Sequence, residues 1–183
     1  MSGSITSVSA ASTGGNPFLR AVAALSTLAG WIAAGMLVVA VAITCQMIFV
    51  RFVLNQSTVW QTESVIYLVI GSTLLGLPYV QRLRGHVNVD LVPLWLTGRA
   101  RRAMFMLTMT LSIAVVSVML WYGFEYWHVA WERGWRSETI WGVRLWIPLL
   151  AIPVGFGLLL LQLVADLIAV LLGHDRPFGL EEG

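Results

Sequence analysis

Charge is what this sequence has least of. Only 11% of its 183 residues are Asp, Glu, Lys or Arg, against about a quarter in an average soluble domain. Lysine is absent, so all 11 basic residues are arginine. They flank apolar runs instead of forming a stripe, and the formal net charge is +2, which gives no signal for a nucleic-acid partner. Cysteine is almost missing too. Cys45 is alone and lies inside an apolar run, which excludes an intrachain disulfide and a multi-cysteine metal cluster. The histidines, His86, His128 and His174, sit near or outside the ends of the apolar runs, which argues against bis-histidine haem ligation within a bundle. No G-x-S-x-G, H-E-x-x-H, P-loop or Cys/His zinc spacing occurs. The chain does not read as an enzyme, and no cofactor is expected in it.

Apolar residues fill the space that charge leaves. They make up 58% of the chain, and the mean hydropathy is +0.81. Charge-free runs cover 21–50 (30 residues), 64–81 (18), 103–124 (22) and 145–165 (21). A hydrocarbon core about 30 Å thick needs roughly 20 apolar residues per helix. The expected fold is therefore an all-α membrane protein with four transmembrane helices, spanning about 21–50, 59–81, 102–124 and 145–166 within a domain over 17–173. Residues 1–16, small and uncharged, are expected to form a disordered tail, and 174–183 a short C-terminal tail. The first run is twice as long as a signal-peptide core of about 7–15 residues and should remain as an anchor. Its helix of about 45 Å exceeds the hydrocarbon thickness, so it must tilt or protrude. Asn16-Pro17 reads as a helix start, Ser57 or Thr58 as the cap of the second helix, and Pro78 as a kink within it. Pro148 and Pro153 are tolerable in a span if neighbouring helices satisfy the freed carbonyls.

Orientation follows from arginine bias. With four spans, the N-terminal tail, the 82–102 loop and the C-terminus share one side and hold seven arginines: 20, 82, 84, 99, 101, 102 and 176. The other side holds four: 51, 133, 136 and 144. Both termini are expected in the cytoplasm, with residues 51–63 and 125–144 facing outward. The outer connection is rich in indole, with Trp121, Trp127, Trp131, Trp135, Trp141 and Trp146. Trp127, Trp131 and Trp135 are four apart and would form one stripe if the third helix continued outward. Glu132 and Arg136 would then pair at i,i+4. Such a stripe is either an aromatic belt against lipid or a docking surface for a partner.

Ionisable residues inside a membrane mark ion paths or proton relays, and the central stretches of all four runs contain none. Their polar side chains are Thr44, Gln46, Ser72, Thr73, Thr108, Thr110, Ser112, Ser117 and Gln162. Ser72 and Gly76 form a small-xxx-small pair suited to close helix contact. Between the second and third runs, "RLRGHVNVD" alternates polar and apolar residues after Gly85. This reads as an interfacial amphipathic segment whose arginines meet phosphates or a partner, or as an ordinary cytosolic loop. His86 and Asp90, four apart, are a weak metal-ligand signal.

The stretch Arg51–Val92 resembles the small integral-membrane subunit of tripartite ATP-independent periplasmic (TRAP) transporters. The resemblance rests on Arg51, Trp60, Glu63, Gly76, Arg84, Gly85, His86, Val89 and Asp90 in that order. Departures are Ile66, where members often carry arginine, and Leu77-Pro78, where alanines often follow the glycine. The resemblance implies a large membrane subunit that holds Na⁺ and substrate, and a periplasmic binding protein that delivers an organic acid. This chain would be the scaffold or stator. On this view Glu63 is stabilised by the positive end of the second helix and by Arg51. His86 and Asp90 hold the cytoplasmic turn or contact the large subunit, and the 127/131/135 stripe touches the binding protein. The alternative is the membrane anchor of a redox enzyme complex.

Overall fold

The computed structural model describes residues 17–83 and 98–172. Four of its helices are long and apolar enough to cross a membrane: Pro17–Phe52, Val59–Arg82, Ala103–Glu132 and Trp146–Leu171. The chain is thus the four-span, all-α membrane protein that its hydropathy predicts. Both tails and the amphipathic segment expected between the second and third spans lie outside the described residues.

In chain order the helices are α1 (Pro17–Phe52), α2 (Val59–Arg82), α3 (Gly98–Glu132), the short α4 (Trp146–Leu149) and α5 (Ala151–Leu171). At 36 residues α1 is about 54 Å long and overshoots any bilayer core. Thr58 occupies the N-cap position of α2, but its side chain makes no cap hydrogen bond. Pro148 falls in the first turn of α4, where a missing N–H leaves no intrahelical bond unmade, and Pro153, three residues into α5, withholds a donor from the Leu149 carbonyl where α4 passes into α5. Pro78 is different: it is inside α2, fully buried, and removes the donor due to the Leu74 carbonyl four residues earlier.

Packing follows from these backbone details. α2 lies between α1 and α5, α5 also touches α1, and α3 packs on the opposite flank of α5 and on α4. The arrangement is a three-helix body with a fourth helix on its side. Where α2 meets α5, a Cβ at Gly155 would stand 2.8 Å from the Leu74 carbonyl oxygen. The carbonyl that Pro78 deprives of its donor is therefore the one against which glycine lets α5 approach. Lipid gives no hydrophobic drive for helices to associate, so close backbone contact of this kind is what holds them. Toward the other end, Leu19, Val22 and Ala165 form a buried cluster joined by Leu161 and Ala169.

Candidate functional site

Polar side chains gather at the two ends of the bundle. At the end where α1 begins and α2 and α5 finish, the Ser26 hydroxyl donates to Gln162 Oε1 at 2.7 Å. Gln162 Nε2 donates to Asp166 Oδ1 at 2.7 Å, and Gln81 Nε2 donates to Asp166 Oδ2 at 3.2 Å. Arg82 Nη1 reaches across to the Ala23 carbonyl at 3.1 Å and to the Thr27 hydroxyl. One chain of hydrogen bonds thereby ties α1, α2 and α5. Gln162 is only 5% exposed, and its amide is satisfied on both sides, as burial demands. Of these residues only Gln162 is among the polar side chains at the centre of an apolar run. Ser26 gives no sequence signal of its own, and Asp166, Gln81 and Arg82 look like ordinary span-end polar groups.

The opposite end is built around α2's first turns and a hairpin. α3 stops at Glu132 because Gly134 adopts φ +59. The Gly134 N–H then bonds the Trp131 carbonyl (3.2 Å), and the Trp135 N–H bonds that of Ala130 (3.1 Å), the pattern of a Schellman motif. Trp135 therefore leaves the helix, and the expected three-tryptophan stripe ends at Trp131. The expected Glu132–Arg136 pair is likewise not formed, since those residues no longer share a helix. Glu132 turns back to His128 at 3.7 Å.

Beyond this cap the chain reverses. Ser137 N–H bonds the Val143 carbonyl (2.8 Å), and Leu145 N–H bonds that of Trp135 (2.9 Å), with Arg136 and Arg144 paired between them. Gly142, at φ +59, closes the turn with an N–H bond to the Thr139 carbonyl (3.0 Å). One face of the hairpin meets α2. The Ser137 hydroxyl donates to Glu63 Oε1, and Trp141 stands edge-on to Trp60 with ring centroids 6.4 Å apart. Glu63 Oε2 is buried with no hydrogen-bond partner. Arg51, expected to face Glu63, is exposed in the last turn of α1. No ion pair reaches it among the described residues; Glu63 is held by the hairpin instead.

Trp127 donates its indole N–H to the Trp146 carbonyl at 3.1 Å, and Trp131 packs edge-on against the Trp146 ring at 4.4 Å. These two residues fasten α3 to α4, although Trp131 keeps 52% of its surface exposed. Trp135 packs against Tyr126 instead (5.6 Å). Gly76 faces Ala33 of α1, where a Cβ would meet the alanine methyl at an ordinary 3.8 Å. Arg84, Gly85, His86 and Asp90 lie outside the described residues.

A family model described as tripartite ATP-independent periplasmic transporters, DctQ component, matches residues 40–173. That match takes in both hairpin strands, Glu63, Gln162 and Asp166. No curated protein and no solved structure matches the chain.

Proposed function

Because the chain belongs to the DctQ family, the small membrane subunit of TRAP transporters, we propose that it serves as the stator of such a transporter. Its partners are a large membrane subunit and a periplasmic binding protein. The transported solute is an organic acid whose uptake is driven by sodium bound in the large subunit, with no cofactor in this chain. A family of transporter components favours this role over the anchor of a redox enzyme. The chain sits in the bacterial inner membrane with the hairpin end facing the periplasm and both termini in the cytoplasm, in keeping with the seven-to-four arginine bias.

The observation that carries the stator role is the hydrogen-bond chain Ser26–Gln162–Asp166–Gln81. It joins three helices at one end, while the Ser137–Glu63 bond braces the other. A chain tied at both ends moves as one body, which is what a fixed support for a moving subunit requires. Glu63 and Trp60 serve this internal bracing at the outer end of α2 and Gly76 at its middle, whereas Arg51, exposed in the last turn of α1, is left to meet the large subunit. Arg84, Gly85, His86 and Asp90 shape the cytoplasmic turn or meet the large subunit. The exposed half of Trp131, with Trp127 beside it, offers a surface to the binding protein, and Trp135, packed on Tyr126, no longer belongs to it.

The test is reconstitution of the large subunit in liposomes with the binding protein, with and without this chain. Sodium-driven uptake should fall at least tenfold without it. Undiminished uptake by the large subunit alone would remove the stator role.

A further inference from the structure

Two arginines stand directly opposite each other across the hairpin. Arg136 and Arg144 are bridge partners, and the flanking hydrogen bonds run from residues 137 to 143 and from 145 to 135. They thus occupy a non-hydrogen-bonded antiparallel position, where the Cα atoms are about 4.5 Å apart and both side chains leave the same face close together. Like charges so placed repel and destabilise the strand pair. Among the described residues no carboxylate compensates: neither guanidinium has an ion-pair or hydrogen-bond partner there, and Glu138, two positions on, is exposed and pairs with neither. The alternation of the strand explains which way they point. Trp135, Ser137, Val143 and Leu145 are half-buried, whereas Arg136 and Arg144 are exposed.

The surroundings indicate the depth at which they stand. The hairpin turn carries Ile140, 97% exposed, beside the half-exposed Trp141, a costly arrangement in water. Trp141 and Val143 also close the upper end of an apolar groove of about 520 Å³. The groove descends between α1, α2 and the start of α5 past Tyr67, Gly71 and Leu75, well within the span of α2. Its lower lining thus lies at hydrocarbon depth, and the indole of Trp141 at its rim, with Trp60 packed edge-on to it, favours the headgroup level. The arginine pair therefore stands where hydrocarbon gives way to headgroups. We infer that Arg136 and Arg144 together clamp the phosphodiester of an anionic lipid in the leaflet on the hairpin side. Two planar forks on one face suit bidentate phosphate recognition, and a bound phosphate converts their mutual repulsion into a shared attraction.

The experiment uses the full chain in detergent micelles, titrated with phosphatidylglycerol or with phosphatidylcholine of the same acyl chains. Thermal unfolding and lipid retention by native mass spectrometry are the readouts. Phosphatidylglycerol should raise the wild-type Tm more than phosphatidylcholine does. The double variant Arg136→Gln/Arg144→Gln should lose that difference and retain phosphatidylglycerol roughly 10- to 30-fold less tightly. Without added lipid it should unfold no earlier than wild type, because the repulsion is gone. Arg136→Lys/Arg144→Lys, which keeps both charges but not the forks, should fall between the two and serves as the reading variant if the glutamine pair fails to fold. Inorganic phosphate at matched concentration should give no comparable shift; an equal shift would overturn the lipid as occupant. The same phosphatidylglycerol response in wild type and variants would overturn the clamp. Unchanged lipid binding with loss of co-purifying large subunit or binding protein would assign the pair to protein carboxylates instead, and would also overturn it.

Discussion

Along their most apolar windows the spans 103–132 and 146–171 have mean hydropathies of 2.2 and 2.3, yet 6% of the first window is buried and 28% of the second. Oiliness separates neither. In water, hydrophobicity would decide which helix is central, but between lipid and a neighbouring helix it has no preference. The difference lies in small and polar side chains. α5 presents Gly155 to the α2 backbone and Gln162 and Asp166 to the polar chain. α3 carries Leu107, Leu111, Val115 and Tyr122 along one face, all more than half exposed. Its anchorage comes from its flank on α5 and from Trp127 and Trp131 on Trp146.

The comparison breaks most readily at Gly155. Any side chain there meets backbone at 2.8 Å, and backbone cannot swing aside as a flexible side chain does. Gly155→Leu is expected to destabilise the purified chain by about 1–3 kcal/mol, the usual cost of overpacking, read by thermal unfolding in micelles. Gly157→Ala is the control, since its Cβ would meet Leu120 at 3.9 Å, and it should shift stability by less than about 0.5 kcal/mol. Equal effects of the two would mean that the approach of α5 to Leu74 is not what centres it.

Next in size is the polar chain. Gln162→Leu removes the acceptor for Ser26 and a donor to Asp166. Hydrogen bonds between membrane helices average about 0.6 kcal/mol and reach about 1.7, so a loss of about 1 kcal/mol is expected. A double-mutant cycle with Ser26→Ala separates the direct bond from the rest. Additive losses would show that the Ser26–Gln162 contact contributes nothing of its own.

These two sites also mark how far the sequence could be read. Four spans were legible because run length against bilayer thickness is a strong constraint, and the family was legible from spacing around Arg51, Glu63 and Asp90. Which helix is central was not, because packing in lipid depends on backbone proximity, and Gly155 looks like any other glycine in "PVGFG". At Trp135 two sequence signals conflict: the regular four-residue spacing of the tryptophans extends the helix, whereas Gly134 directly before it is a helix stop signal, and the stop signal prevails. The Ser137–Glu63 bond joins positions 74 residues apart, a distance over which local pattern carries no information. Arg51 and Glu63 looked like partners because both flank one short connection. The hairpin, whose fold required Gly134 and Gly142 at positive φ, reached Glu63 instead.

The smallest effect sharpens the comparison from the other side. Leu111 is 63% exposed in the middle of α3, so truncating it removes contacts that are made to lipid or detergent and leaves no enclosed void. The large penalty for leucine-to-alanine changes in soluble cores combines lost transfer free energy with a cavity. At Leu111 neither part applies, since lipid tails are as apolar as the side chain itself. Leu111→Ala should therefore change the stability of the isolated chain by less than about 0.5 kcal/mol, despite substituting a leucine at the centre of an apolar run. A loss above about 1 kcal/mol would mean that this face is already covered in the isolated chain. The covering molecule would then be a second copy, and the loss would vary with protein concentration, as mass action requires.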